Sequence, residues 1–169
     1  MATREQLYAK FGITAEAAQL FETALGTLLL GAEGLHKEWI EKPDPETAAL
    51  KLANVKKSTL GRLLRMARSV IEFDDGLILF FSNALDTRNR LMHGFYERHN
   101  FQIQTESGRG TMIDDLEVMH TELFNAWQLA DSLSGVLMNY LVELKTNPDA
   151  SGRGPVEKIS FTVKGMQNP

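Results

Sequence analysis

The chain has 169 residues, 43% hydrophobic and 24% charged, with a formal net charge of −4 and no cysteine. That length suits one domain around one core, the composition excludes disordered and collagen-like classes, and the missing thiols exclude disulfides, thiolate metal sites and a cysteine nucleophile and fit a reducing cytoplasm. No stretch reaches the roughly eighteen apolar residues of a membrane span, and MATREQLYAK lacks a signal-peptide apolar region, so a cytoplasmic protein with no membrane partner is expected.

Thr3 to Phe11 predicts a short helix closed by Gly12, with Thr14 as the N-cap of the next. From Ala15 to about Ile40, Ala17, Phe21, Ala24, Leu28, Gly31 and Leu35 alternate at spacings of four and three, the seam of a bundled helix, with Ala24 and Gly31 small enough for close approach. KPDPE ends that helix; Asp44 caps and Pro45 opens the next, running to about Val55. Ser58 or Thr59 then caps an amphipathic helix extending through Phe73, with Leu60, Leu63, Leu64, Ala67, Val70 and Ile71 inward and Arg62, Arg65 and Arg68 on the opposite face. Residues 51–100 are the basic part of an otherwise acidic chain, so this face is either a solvated surface or a flank that tracks phosphates.

Asp74 or Asp75 caps a long helix fading near Asn100, and its late segment DTRNRLMHGFYERHN organises the rest. At about 100° per residue, Leu77, Phe80, Phe81, Ala84, Leu85, Leu91, Met92 and Phe95 share one broad face, with Arg88 near its middle. A guanidinium there costs several kcal/mol unless a carboxylate, a phosphate or a polar cleft receives it; Glu33 is one candidate among the carboxylates. Asn89 and His93, four apart, stack on one edge of the face, and Tyr96 follows. Arg98 and His99 read as surface. Phe81, Leu85 and Met92 add more apolar surface than one cleft needs, which motivates a homodimer.

FQIQTESGRG predicts a connection with a brief strand at Phe101–Thr105, and Thr111 or Asp114 starts the last helix, whose seam is Leu116, His120, Leu123, Trp127, Ala130, Ser134, Leu137, Leu141 and Leu144. The expected fold is therefore all-α, an antiparallel four- to five-helix bundle over residues 1–147. Residues 148–169 read as a linker and a short extended tail in which EKISFTV adds an edge strand or docks on the body.

His36, His93, His99 and His120 lack zinc-hydrolase spacing, the glycines form no phosphate loop, and neither a GxSxG elbow nor paired di-iron carboxylates occur, so no metal or cofactor is expected. What remains is Arg88-Asn89 followed by His93. In TRNRLMHGFYERH the chain resembles the HEPN superfamily, small all-helical domains carrying an Arg-polar-x-x-x-His motif late in a helix, matched at Arg88, Asn89 and His93. The upstream STLGRLL and downstream GRGTMIDDLE are similar to bacterial members.

The resemblance implies a metal-independent endoribonuclease, commonly a homodimer with two motif helices facing one cleft, acting as a toxin or phage-defence effector under an antitoxin or regulatory protein. In that role His93 exchanges protons near neutral pH, Arg88 neutralises the phosphate, and Asn89 orients the histidine or the substrate. Tyr96, Arg62 and Arg65 are the candidate RNA-binding side chains. One toxin subset carries a tyrosine two residues after the histidine as a modification site; here that position is Phe95. The other reading is a non-catalytic HEPN-like module that dimerises and binds a nucleotide or a protein through the same face.

Overall fold

The computed structural model describes residues 1–146 and 159–162. Its elements are α1 (Arg4–His36), α2 (Pro45–Lys56), α3 (Leu60–Val70), β1 (Ile71–Phe73), α4 (Asp75–Asn89), a π-helical turn (Arg90–Gly94), α5 (Phe95–His99), a 3-10 turn (Asn100–Gln104), α6 (Glu106–Thr146) and β2 (Ile159–Phe161). The architecture is all-α, with one small parallel pair of strands.

Several boundaries differ from expectation. Gly12 does not close a helix: α1 runs from the Thr3 capping box, where Thr3 Oγ1 accepts from the Gln6 amide, straight to His36. A mid-helix glycine costs only about 1 kcal/mol, less than is gained by burying Leu7, Ala17 and Ala18 on one continuous face. Thr14 is thus no cap; its hydroxyl donates to the Lys10 carbonyl at 2.8 Å. At the other end of the chain, α6 starts at Glu106 rather than Thr111 or Asp114, and the stretch expected as a strand at Phe101–Thr105 is largely the 3-10 turn. Arg109 ties this corner, donating to the carbonyls of Ala2 at 2.7 Å and Ile103 at 3.0 Å. Gly108 is required there, because a methyl group on it would overlap the Gln102 carbonyl. Asp44 and Pro45 open α2 as expected, with the Thr47 amide donating to the Asp44 carboxylate at 3.0 Å.

α3 stops at Val70 and Ile71–Phe73 leave it as a strand, alternately buried and exposed. Ile71, Glu72 and Phe73 pair with Ile159, Ser160 and Phe161, so EKISFTV does contribute a strand, on a partner that sequence had assigned to a helix. Of the rest of the 148–169 tail, only Thr162 is described; residues 148–158 and 163–169 lie outside the described residues.

Consecutive legs of the bundle are antiparallel, as their short connections require. Lys51 meets Glu33 and Val55 meets Gly26, so α2 descends along α1. Arg88 meets Glu22 and Phe95 meets Phe11, so α4, the π turn and α5 also run against α1 as one leg. Five alternating legs leave the first and the fifth parallel. Thr14 reaches Leu116, Ser134 reaches the Ala24 carbonyl, and Gly31 accepts Leu137 against its bare Cα. This α1–α6 contact is the largest between helices.

Along it the core falls into two clusters. One gathers Phe21–Leu35 of α1 with α3, β1, Leu77–Ala84 of α4 and Ala126–Leu137 of α6; the other gathers Leu7, Ala17, Ala18, Leu91, Phe95 and Met112–Leu123. The seam of α6 is Met112, Leu116, Met119, Leu123, Ala126, Ala130, Leu133 and Leu137, the same four-three spacing in the alternate phase. His120 and Trp127 stand half-buried on its flank, and His120 stacks on Phe124 at 5.6 Å.

Candidate functional site

The gap between the clusters is where the motif begins. Ala84 of α4 closes one cluster and Leu91 of the π turn opens the other. Between them Thr87 is buried and its hydroxyl donates to the Glu122 carboxylate of α6. Arg88, its side chain 20% exposed, lies 2.8 Å from Glu22 Oε1 of α1, an ion pair in which no N–H points along a hydrogen bond to that oxygen. Its Nη1 donates to Asn89 Oδ1 at 3.3 Å. Arg88 therefore belongs to a polar layer crossing the bundle, not to an unbroken apolar stripe, and the layer answers the burial conflict read from the sequence. The carboxylate is Glu22 and not Glu33, which is buried and closed by Lys51 at 2.7 Å.

His93 and Asn89 are exposed, and the π turn governs how they relate to Arg88. On an uninterrupted α-helix, residues five apart lie about 140° round from one another. Bonding from i to i+5 closes a turn in more residues, so the offset between positions 88 and 93 shrinks across Arg90–Gly94. Phe81 is fully buried, against Phe21 and Phe73, and so does not add to an outward apolar face. Met92 at 45% and Tyr96 at 43% exposure do.

Tyr96 packs on Phe11 and Phe95, with ring centroids 5.5 and 5.2 Å away. Burial raises its phenol above the ordinary tyrosine value, and Tyr8 adds to the shift. Arg62 and Arg65 are exposed along α3, where they border a shallow surface with Met66 and Ser69. Gly61 rests against Leu85, setting the start of α3 beside the second half of α4; Arg65 lies a turn further from Arg88 than Gly61 does. The structure thus gathers Arg88, Asn89 and His93 on one leg, sets Tyr96 a turn beyond, and leaves Arg62 and Arg65 on the neighbouring helix.

His99, read from sequence as surface, is 6% exposed and bonded through both ring nitrogens. Nε2 donates to Asp115 Oδ2 at 2.9 Å, since an ionised carboxylate only accepts, and Nδ1 lies 2.8 Å from the Gln102 side-chain amide. The other oxygen of Asp115 faces Arg90 Nη2 at 3.9 Å. The sequence around His99 carried no signal of the Asp115 contact, because that carboxylate comes from α6.

Among the described residues, no group of three or more His, Cys, Asp and Glu side chains is placed to hold a metal ion, and no helix is long and apolar enough to cross a membrane. Comparison with protein-family models, curated proteins and solved structures found no match.

Proposed function

We propose that this chain is a HEPN-type, metal-independent endoribonuclease, with the toxin or phage-defence role and the antitoxin or regulatory partner that such a reading carries. The observation that supports it is the π turn between Arg88 and His93, which draws an anchored guanidinium and a solvent-facing imidazole toward one side of the same leg. π turns inside α-helices recur at functional sites.

In this reading the ribose 2′-oxygen attacks the adjacent phosphorus and the bond to the 5′-oxygen breaks, leaving a 2′,3′-cyclic phosphate and a 5′-hydroxyl. His93 accepts the 2′-hydroxyl proton or returns one to the leaving oxygen. Arg88 balances the charge on the phosphate, and Asn89, already hydrogen-bonded to Arg88, aligns it. One imidazole per chain serves one of the two proton transfers at a time. A homodimer supplies the second, and exposed Tyr8, Met92 and Tyr96 give it apolar surface near His93. Arg62, Arg65 and Tyr96 contact the RNA.

The ion pair of Arg88 with Glu22 favours a second reading, a non-catalytic HEPN-like module that dimerises and binds a nucleotide or a protein, because a cation already neutralised has a structural role without any substrate. Cleavage of RNA in EDTA separates the two. His93→Ala, at an exposed position, changes stability by less than about 0.5 kcal/mol and lowers cleavage by at least about 100-fold. A wild-type protein that sediments as a dimer, binds RNA and leaves it intact establishes the module instead.

A further inference from the structure

We propose that Asp115 is a positioning residue for His93: its carboxylate, shared between Arg90 and His99, holds the π turn in place. The three side chains span the segment. Arg90 is the first residue of the π turn, His99 is the last of α5, and Asp115 stands on α6 between them. On an unbroken α-helix, positions 90 and 99 point about 180° apart, and one carboxylate cannot face both. One extra residue in the turn reduces that separation to about 80°. The bridge and the π turn therefore require each other.

Two further observations show that the segment needs holding. Asn100, directly after His99, has φ 44° and ψ −122°, a backbone conformation that persists only where surrounding contacts over-determine it. Gln102 supplies the second bond to the His99 ring, and the Phe95 ring packs tilted against it at 4.7 Å, so the end of α5 is fixed on three sides. At the start of the turn, Arg90 Nε is enclosed without a hydrogen-bond partner, leaving Asp115 as the charge that keeps this guanidinium against α6. If Asp115 lets go, the turn relaxes to i→i+4 bonding. His93 then swings away from the side of Arg88, with Leu91 and Phe95 still able to seat in the core.

The consequence for cleavage rests on the ribonuclease reading, whereas the consequence for the backbone does not. The 169-residue chain, its Asp115→Asn and His99→Phe variants, and Arg90→Gln, which alters the partly exposed arm, are compared by scalar couplings across backbone hydrogen bonds. These couplings identify the carbonyl partner of each amide. In the wild type, the amides at the end of Arg90–Gly94 and just after it couple to carbonyls five residues back, whereas the Arg90 amide bonds to Asp86. In the variants that coupling moves to four residues back while helical circular dichroism is retained, and RNA cleavage loses at least ten-fold in kcat with KM within two-fold. Persistence of the five-residue couplings in the folded variants overturns the proposal. Should Asp115→Asn or His99→Phe fail to fold, Arg90→Gln alone decides it. A wild type that cuts no RNA sinks the ribonuclease reading and leaves the coupling result to judge the bridge.

Discussion

Arg88 sits between two claims on its charge. Glu22 holds it now, and in the proposed reaction a phosphate takes that place. Glu22→Gln keeps the shape of the partner and removes its charge, so stability falls by only about 1 kcal/mol for this partly exposed pair, while the KM for RNA decreases because the competing carboxylate is gone. Unchanged RNA affinity in that variant argues that the cation never leaves Glu22. Tyr96 offers a spectroscopic check on the same side of the leg. Its raised folded-state value means that the neutral phenol is favoured by the fold, so its contribution to stability is complete below the ordinary tyrosine range and is lost as pH rises through the folded value. An ultraviolet titration should find one tyrosine ionising after the others, and Tyr96→Phe should remove that late step. The unusual position of Arg88 was legible from period alone. Glu22, Glu122 and Asp115 were not, because each reaches the motif from α1 or α6 across a crossing that no local pattern encodes.

α2 is the most loosely held of the helices. It has no fully buried residue, leaves Leu50 and Leu52 exposed, and meets α1 through Lys51 on Glu33 and Val55 on Gly26. Its amides should therefore exchange with solvent sooner than those of α1 or α6. The cap adds a pH dependence. Bonds from the Thr47 backbone and side chain hold the Asp44 carboxyl below its usual value, so the stability it lends is present above the unfolded-state value and disappears as pH falls through the folded one; α2 should fray first in acid. Gly26→Val tests the packing: a Cβ there would come within 2.8 Å of Val55 Cγ1, and α2 has to shift outward, raising its exchange rates while α3 is unaffected. The KPDPE boundary and the inward face of α3 followed from capping chemistry and spacing. β1 did not, since Ile71–Phe73 continues an apolar pattern and only a strand distant in sequence converts it. The phase of α6 escaped for a related reason. Two four-three lines run along it, and the choice of Met119 and Ala126 over His120 and Trp127 is made by the surface of α1.

Two core clusters joined by two uninterrupted helices should melt as one. Leu28→Ala in the first cluster and Leu116→Ala in the second are each expected to cost about 2–5 kcal/mol and to lower the midpoint of a single transition, because neither cluster can dissolve without uncovering half of α1 and half of α6. Two separated transitions by calorimetry would contradict that coupling. A bundle was legible from the sequence, as was alternation between neighbours; the kinship of first and last helix follows from the number of legs, which became clear only when α1 proved to run uninterrupted through Gly12. That arrangement also dictates how the molecule bears load. Handles placed at Thr3 and Thr146 sit at opposite ends of two rods lying side by side in the same direction, so tension makes the rods slide lengthwise, and interlocked side chains along the whole seam resist together. Handles at Thr3 and Asn100, on legs running in opposite directions, would instead peel contacts apart one after another, at visibly lower force.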